Sequence, residues 1–584
     1  MILDKINDSK DIKKLNIDEL NILKEEISSL IIKKVSKVGG HLGPNLGVIE
    51  LTIALHYVFN FPYDKLIFDV SHQSYTHKIL TNRKEYFINE NKFNDISGFS
   101  SFEESEYDLF KLGHTSSSLS LSSGICKGRN LLNEKYKIIN VIGDGSLSGG
   151  EALEALNNVS NLNGQYLIIV NDNEMSIEEN VGGIYSSLKD LRESNGKSLN
   201  NIFKTLSIDY RYLEDGNNIS SLINTLNEVK DIDHPLILHI HTLKGNGYLK
   251  AIENKEKFHY AKPFNIETGE FNSSSPRLNY SEISYEYFSK KMDNDKSVVI
   301  LTSAVAYLFG FNKERREKYK DNFIDLGIEE AHAVGFLSGL SKANIKAYYP
   351  VTCSFLQRGF DQLIEDFALN NINATILLCL PSLYSSKDVT HLGIFDEVMI
   401  SNIPNIIYLD PTSIEEYLSM LDYSYYNKHN PLIIRVPNEI IYDNKIDNND
   451  YSLINKSKVI NKGKDIAIFY VGNLEFLAKD IYKELIDKNY NISLIRQRFL
   501  SGIDKDLINE LIINHKIIIT LEDTLLNGGF GEKISSYLGN KNIYVLNYGL
   551  KKEFIDRYDI NKLLKENRLD KDLIIEDILK LLNR

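Results

Sequence analysis

The 584 residues are too many for one hydrophobic core, so the length predicts two to four domains. A hydrophobic content of 42% and a charged content of 25% are ordinary for a globular protein, and the net charge of −13 argues against a general nucleic-acid or membrane-surface role. No apolar run is long enough to span a bilayer, the N-terminus is too charged for a signal peptide, and three widely separated cysteines fit a reducing compartment, so we expect a cytoplasmic protein.

Three histidines in the first part of the chain lie in loops rich in glycine and small polar residues. After a helix predicted over residues 1–35, His41 stands in V-G-G-H-L-G-P-N-L-G, His72 in D-V-S-H-Q-S and His114 in G-H-T-S-S-S. The last loop leads into a helix and would make an anion site. His41 alone is as consistent with a capped turn, and a zinc site is the rival interpretation of all three, although no Cys/His ligand spacing accompanies them.

A βαβ unit is predicted next in the chain. Two short apolar runs, 138–142 and 166–170, are typical of strands buried on both faces, and a helical pattern over 148–158 separates them. Asp144 follows the first run and Asn173 follows the second. Doubly wound sheets bind ligands at the carboxyl ends of their strands, and carboxylate and amide oxygens suit Mg²⁺. The sequence therefore predicts a magnesium site at this edge.

The turn after the first of these strands carries a more specific pattern. Gly143 and Gly145 would let the backbone approach a phosphate closely, although a G-x-G turn alone is common in α/β proteins. A G-D-G that is followed, after a second apolar run, by N-x-N resembles the thiamine-diphosphate motif of the transketolase-like enzymes. This resemblance implies that Asp144, Asn173 and the carbonyl of Met175 hold the metal ion that binds the diphosphate.

The segments G-G-H-L-G-P-N, D-V-S-H-Q-S-Y-T-H-K and G-D-G…N-D-N-E-M-S-I-E-E-N-V-G together resemble the 1-deoxy-D-xylulose-5-phosphate synthase family, a relative of transketolase. The similarity extends, with gaps, over nearly the whole chain. It implies thiamine diphosphate and Mg²⁺ as cofactors, and proton transfer by His41 and by His259 in F-H-Y-A-K-P-F. The residues that it places around thiamine diphosphate in this part of the chain are His72, Gly113, His114, Thr115, Gly145, Ser146, Asn173, Lys244 and Tyr248.

The second part of the chain carries residues that the resemblance places near the pyrimidine ring and the substrate. Two adjacent glutamates in G-I-E-E-A-H-A are usually a solvated pair, but the family pattern aligns Glu330 with the catalytic carboxylate that hydrogen-bonds the aminopyrimidine. Phe355, in S-F-L-Q-R-G, is implied to pack on that ring. Arg358 of the same segment and His391 of a T-H pair are expected to contact the substrate, and His391 is also expected to be catalytic.

The resemblance implies an α/β fold of three doubly wound domains of the transketolase-like, thiamine-diphosphate-binding type. Residues 1–272 are expected to bind the diphosphate and the metal, residues 285–440 the pyrimidine, and residues 455–584 form a C-terminal domain that mainly builds a homodimer in the family. A linker is predicted over 273–285, where S-S-S-P-R interrupts the pattern.

Two features depart from the family pattern. The family binds the acceptor's phosphate with arginines, because a planar guanidinium matches phosphate oxygens in a bidentate way. Here L-P-S-L around Pro381, and V-P-N-E with Asn438 and Glu439, stand at those positions. In addition, the long family insertion before residue 219 is reduced to a polar segment over 187–204, which argues against a mobile lid there.

The sequence therefore predicts an enzyme that joins pyruvate to glyceraldehyde 3-phosphate with loss of carbon dioxide. Two alternatives stay open. The missing arginines favour a related carboligase with another, unphosphorylated acceptor. The other alternative is a paralogue that binds the cofactor without turnover, and the presence of Glu330 and His41 speaks against it. The expected partners are small-molecule substrates and a second copy of the chain, with neither nucleic acid nor a membrane.

Overall fold

The strands of the first sheet bury alternate residues on opposite faces. In the computed structural model, which describes residues 1–272, 279–428, 430–438, 441 and 450–582, Leu167 and Ile169 belong to one hydrophobic cluster and Ile168 and Val170 to another. Side chains alternate along a strand, so this sheet needs a layer of helices on each face. That requirement explains why its central strands are continuous apolar runs.

The first sheet consists of parallel strands in the order β1-β2-β3-β5-β4. Its strands are β1 Lys65–Phe68, β2 Ile138–Gly143, β3 Tyr166–Asp172, β4 Asp209–Leu213 and β5 Pro235–His241. The helices of this region are α1 Ile17–Val38, α2 Gly43–Leu46, α3 Ile49–Val58, α4 Tyr75–Lys78, α5 Glu85–Ile88, α6 Ser118–Leu131, α7 Gly150–Val159, α8 Gly183–Glu193, α9 Ile202–Thr205, α10 Ile219–Val229 and α11 Leu249–Glu253. Because β2 and β3 are parallel neighbours, the turns that follow them share one edge.

The second sheet is also parallel, in the order β10-β11-β9-β8-β6-β7. Its strands are β6 Val298–Thr302, β7 Phe323–Asp325, β8 Lys346–Thr352, β9 Thr375–Cys379, β10 Ile407–Leu409 and β11 Leu432–Arg435. Its helices are α12 Tyr280–Asn294, α13 Lys313–Lys318, α14 Glu330–Lys342, α15 Cys353–Leu356, α16 Phe360–Gln362, α17 Asp396–Ile400 and α18 Ile414–Tyr426.

The linker predicted over 273–285 is wrong for its second half. Helix α12 begins at Tyr280, where the Asn279 side chain accepts the backbone N–H of Glu282. The helix buries Ile283 and Phe288, a helical spacing that the sequence analysis missed. Residues 273–278, with the S-S-S-P-R segment, lie outside the described residues.

The third sheet has the order β12-β14-β13-β15-β16, with β12 antiparallel and the other pairs parallel. Its strands are β12 Lys458–Asn461, β13 Ile466–Tyr470, β14 Ile492–Arg496, β15 Ile517–Leu525 and β16 Tyr544–Leu550. Its helices are α19 Glu475–Asp487, α20 Lys505–Asn514, α21 Phe530–Leu538, α22 Ile560–Glu566 and α23 Lys571–Leu582. Three mostly parallel sheets flanked by helices confirm the predicted α/β fold of three domains.

The described residues form two compact units. The first comprises residues 1–272 and 326–329, and the second comprises the remaining described residues, with the second and third sheets. In the part of the chain that the structure describes, every helix is too short or too polar to cross a bilayer.

A buried ionic network around Arg435 connects the second and third sheets. The Arg435 guanidinium is 1% exposed, and its Nε lies 2.8 Å from Asp396 Oδ2. Its Nη1 lies 3.1 Å from Asp523 Oδ1, on β15, and 3.5 Å from Asp410 Oδ1. Asp410 also lies 3.5 Å from Arg496 Nη1, whereas Arg435 is the cation that pairs with Asp396 and Asp523 among the described residues. Burying charges is costly unless each is paired, so Asp396 and Asp523 depend on the Arg435 guanidinium.

We therefore expect Arg435→Met to destabilise the second unit by about 3–5 kcal/mol, because it leaves buried carboxylates without their cation. Thermal unfolding would show this as a transition lowered by several degrees. Arg211→Met is the matched control, since Arg211 pairs with Glu228 at the surface and both side chains are at least half exposed. Equal melting temperatures for the two variants would contradict the role given to Arg435.

Candidate active site

The Asp144 carboxylate lies in the G-D-G-S turn that directly follows β2. It is 1% exposed, and its Oδ2 accepts a hydrogen bond of 2.7 Å from Asn180 Nδ2. Burial, and then the charge of Asp172, raise the pKa of Asp144 well above its usual range. A divalent cation would offset both effects, so this carboxylate fits a cation site.

Asp172, at the end of β3, is stabilised in its charged form by hydrogen bonds from Arg192 and His239. Its Oδ2 accepts hydrogen bonds from Arg192 Nη1 and, at 2.9 Å, from His239 Nε2. Burial alone would raise the pKa of Asp172, but the His239 hydrogen bond and the Arg192 charge lower it to about 2. The role of Asp172 was not predicted from the sequence, although the N-D-N triplet after a strand contains it.

Arg192 belongs to α8, within the segment that is short in this chain. The predicted polar segment over 187–204 is therefore partly helical, in α8 and α9, and Arg192 ties it to the end of β3. A second contact joins Arg192 Nη2 to Glu174 at 3.3 Å. These two ion pairs anchor α8 beside the turn that carries Asn173.

Asn173 and Met175 lie in the turn after β3, beside the G-D-G turn. Asn173 Oδ1 accepts the backbone N–H of Met175 at 3.2 Å. The loop that follows passes so close to Gly145 that a Cβ at that position would lie 2.7 Å from Ser176 Cβ. A carboxylate, an amide and a backbone carbonyl on adjacent turns form a set of oxygen donors that fits Mg²⁺.

Three of the predicted histidines come together in the first unit. The ring centroids of His41 and His72 are 5.0 Å apart, those of His41 and His259 are 5.7 Å apart, and those of His72 and His259 are 5.4 Å apart. The ring centroid of Tyr260 lies 4.9 Å from that of His41. Among the described residues, no group of three His, Cys, Asp or Glu side chains could hold a metal ion. The oxygen donors proposed at Asp144 differ from such a group, because they include an amide and a backbone carbonyl.

Lys244, in the turn after β5, contacts both the loop after Met175 and one of the three histidines. Its Nζ donates to the Ser176 carbonyl and lies 3.0 Å from His259 Nδ1. Burial lowers the pKa of Lys244 to about 7, although the charge of Asp144 acts in the opposite direction. Burial and the charge of Lys244 also lower the pKa of His259 well below its usual range, so His259 is neutral at neutral pH.

The G-H-T-S-S loop lies against the G-D-G-S turn. The Ser116 hydroxyl donates to the Ser146 carbonyl at 2.8 Å, and Asp69 accepts the Ser116 backbone N–H at 2.8 Å. Gly113, His114 and Thr115 directly precede Ser116, whose hydroxyl makes the contact with Ser146. The loop therefore borders the turn that the sequence analysis associated with the same cofactor.

Tyr248, another residue predicted to line the cofactor site, contacts the hydrophobic core of the first unit. Its hydroxyl donates to the Ile266 carbonyl at 2.7 Å, and its ring packs on Phe258 and Phe264. These contacts place Tyr248 in an aromatic cluster of the hydrophobic core, beneath the segment that carries His259.

In the second unit, the structure pairs Glu330 with Arg358. Glu330, the first residue of α14, is 3% exposed, and its Oε2 lies 3.3 Å from Arg358 Nη1. Sequence analysis assigned Arg358 to the substrate and did not foresee this ion pair. The two residues are 28 positions apart, and helical periodicity carries no signal across that separation.

Phe355 and His391 also meet in this unit. Their rings are 5.5 Å apart in an edge-on arrangement, and Thr390 Oγ1 lies 2.8 Å from His391 Nδ1. The Thr390 hydroxyl in turn contacts Asp388 Oδ1 at 2.6 Å. Burial lowers the pKa of His391 to about 4, so this imidazole is neutral at neutral pH.

The two positions at which the family pattern places arginines are adjacent in space. Asn438 Nδ2 donates to the Pro381 carbonyl at 3.3 Å. Arg435, three residues before Asn438, is buried among aspartates and does not replace either arginine. Glu439, the other residue considered for this position, lies outside the described residues.

Three family models match successive parts of the chain. Residues 277–442 match the model of the transketolase pyrimidine binding domain, and residues 455–574 match that of the transketolase C-terminal domain. A solved transketolase mutant from Pichia stipitis aligns over 95% of this chain and 97% of its own, but at 13% identity and a TM-score of 0.43 the likeness is too weak to inform function. Residues 3–199 match the model described as 1-deoxy-D-xylulose-5-phosphate synthase.

Full-length relatives agree with that last match. Proteins named 1-deoxy-D-xylulose-5-phosphate synthase from Clostridium tetani and Caldanaerobacter subterraneus are each 36% identical to this chain, over 99% of both sequences. The protein of that name from Alkaliphilus oremlandii is 37% identical over 98% of both. The chain therefore belongs to the 1-deoxy-D-xylulose-5-phosphate synthase family.

We expect Gly145→Ala to weaken binding of thiamine diphosphate by about ten- to a hundredfold, because the new methyl group must displace the loop at Ser176 at a cost of about 1–3 kcal/mol. The rise in melting temperature on adding the cofactor with Mg²⁺ measures this. Gly124→Ala, at an exposed position of α6 with open space around it, is the control. An unchanged response of Gly145→Ala would show that the close approach has no bearing on the cofactor.

Proposed function

We propose that this protein condenses pyruvate with glyceraldehyde 3-phosphate, with loss of carbon dioxide, to give 1-deoxy-D-xylulose 5-phosphate, a precursor of isoprenoids, thiamine and pyridoxal. The observation that carries the proposal is the similarity to relatives of that name over 98–99% of the chain. The clustering of three histidines, Lys244 and the G-D-G turn in one unit supports it.

The cofactors in this proposal are thiamine diphosphate and Mg²⁺. Asp144, Asn173 and the Met175 carbonyl would hold the cation at the shared edge of β2 and β3. Thiamine diphosphate, when bound, supplies a carbon nucleophile and an electron sink for decarboxylation. The residues assigned to its binding are His72, Gly113, His114, Thr115, Gly145, Ser146, Asn173, Lys244, Tyr248, Glu330 and Phe355.

The histidines are assigned to proton transfer. In the net reaction the bond from pyruvate's ketone carbon to its carboxylate breaks, a new bond forms to the aldehyde carbon, and the aldehyde oxygen takes up one proton. His41 and His259 are assigned to hold and move protons at that oxygen. His259 is neutral beside the cationic Lys244, and an imidazole with a low pKa releases a proton readily once it has accepted one. His391, also neutral, is assigned to the substrate.

The acceptor's phosphate is expected to be held weakly. Asn438 is neutral, and its amide nitrogen already donates to the Pro381 carbonyl. Each charge-assisted hydrogen bond from an arginine would contribute about 1.5–3 kcal/mol to phosphate binding. Arg358, the other candidate, is already paired with Glu330. We therefore expect a high KM for glyceraldehyde 3-phosphate and a small preference over unphosphorylated glyceraldehyde.

The deciding experiment measures carbon dioxide release from pyruvate with thiamine diphosphate and Mg²⁺, with the product identified by mass. Parallel reactions contain glyceraldehyde 3-phosphate, unphosphorylated D-glyceraldehyde or no acceptor. Release that is stimulated by glyceraldehyde 3-phosphate, with deoxyxylulose phosphate formed, supports the proposal. Stimulation only by the unphosphorylated aldehyde overturns the assigned acceptor, and no release under any condition identifies a paralogue without turnover.

The adjacent glutamates provide a matched pair of variants. We expect Glu330→Gln to lower kcat by about 10²–10⁴-fold, because it removes the carboxylate assigned to the aminopyrimidine. Glu329→Gln makes the same chemical change one residue earlier and should stay within a few-fold of the unaltered enzyme. Steady-state rates at saturating cofactor check both values, and a larger loss in Glu329→Gln would reassign the catalytic carboxylate.

The remaining elements of the proposal are a homodimer and a cytoplasmic location. The dimer rests on the family resemblance of the C-terminal domain, and light scattering during gel filtration tests it. The cytoplasmic location rests on the lack of disulfides among the described residues, where Cys126, Cys353 and Cys379 are free thiols.

A further inference from the structure

The side-chain amide of Asn180 lies beside the G-D-G turn and has one of its two polar ends unsatisfied within the described part of the chain. It lies in the I-E-E-N-V-G segment, to which the sequence analysis assigned no role beyond the motif match. Its Nδ2 donates to Asp144 Oδ2 at 2.7 Å, whereas its Oδ1 is buried and accepts no hydrogen bond from the described residues. A buried acceptor without a donor costs about 1–3 kcal/mol, so such atoms in native proteins usually face a ligand, an ion or an ordered water.

The geometry of the amide shows where this oxygen points. The Asn180 Nδ2 donates to Asp144 Oδ2, so the oxygen of the same planar amide faces away from that carboxyl oxygen. A Cβ built on Gly145 would lie 3.5 Å from Asn180 Oδ1. The oxygen is therefore directed at the backbone of the turn, in the space that is kept open by the glycine next to Asp144.

The chemistry of the surroundings restricts the partner of this oxygen to a donor or a cation. Asp144 and Asp172 bring two carboxylates together, and Arg192 and His239 donate hydrogen bonds to Asp172. Asp144 accepts a hydrogen bond from the neutral amide of Asn180, and the charge of Lys244 offsets only part of the effect of burial and of Asp172. A divalent cation with its bound water would serve both Asp144 and the oxygen of Asn180.

We propose that Asn180 is a positioning residue of the divalent-cation site. Its Nδ2 fixes the rotation of the Asp144 carboxylate, and its Oδ1 accepts a hydrogen bond from a water that is bound to the cation. The inference rests on the proposed function, since it requires that Asp144 holds a cation. Partners of this kind typically change metal affinity by about 10–100-fold when they are removed.

The test measures cation binding directly, with the full-length protein and saturating thiamine diphosphate. Binding of Mn²⁺ is followed by the loss of the electron paramagnetic resonance signal of the free hydrated ion. We expect Asn180→Ala to raise the Kd for Mn²⁺ by about 10–100-fold, and Asn180→Ser, which keeps a shorter donor and acceptor, to raise it less. Asn158→Ala is the matched control, because Asn158 is exposed on α7 and its amide contacts only its own helix.

A second measurement separates positioning from a general structural role. With Asn180→Ala, the Mg²⁺ concentration for half-maximal activity should rise by the same factor as the Kd for Mn²⁺, while kcat at saturating Mg²⁺ stays within a few-fold. The melting temperature without cation should match that of the unaltered protein. A large fall in that melting temperature, or a loss of activity that excess Mg²⁺ does not restore, would show a structural role and overturn the proposal.

The failure of this inference and the failure of the proposed cation site give different results. If the unaltered protein binds Mn²⁺ and Asn180→Ala binds it equally well, Asn180 has no role at the site. If the unaltered protein does not bind Mn²⁺ in the presence of thiamine diphosphate, the cation site at Asp144 is itself wrong. Asn180→Ser replaces the alanine variant if the latter does not fold.

Discussion

The site in the first unit depends on two buried carboxylates that lie side by side. Asp144 and Asp172 lie at the ends of neighbouring parallel strands, and burial followed by the charge of Asp172 raises the pKa of Asp144. Asp172 is stabilised in its charged form by Arg192 and His239. Lys244 offsets only part of the cost of charging Asp144, so a divalent cation held by the neighbouring oxygen donors would stabilise this carboxylate further.

Lys244 extends this electrostatic constraint to the histidines. Its buried amino group is attracted by Asp144 and contacts His259, and burial together with the charge of Lys244 lowers the pKa of His259. The proposed cation site and the proposed proton-transfer histidine are thus linked through one side chain. Burial is the common cause, because it strengthens each of these interactions relative to the same groups in water.

The second unit shows how a family pattern can change at the substrate side while its framework is retained. Arg435 holds the second and third sheets together through buried aspartates, so it is not available to a substrate. Asn438 and Pro381 contact each other at positions where the family pattern places cations. The charges around Arg435 are paired and buried, whereas Pro381 and Asn438 are uncharged at the positions where the family pattern has arginines.

The sequence by itself predicted the two central strands of the first sheet and the position of Asp144 and Asn173 at the ends of these strands, because buried parallel strands are continuous apolar runs. The α/β fold of three domains followed from the resemblance to the family. Helix α12 was missed because the proline- and serine-rich stretch before it dominated the local pattern. The partners of the carboxylates were decided only by the tertiary structure. Asn180 and Asp144 are 36 positions apart, as Arg192 and Asp172 are 20 apart, and at such separations the chain path, not local periodicity, decides which polar groups meet.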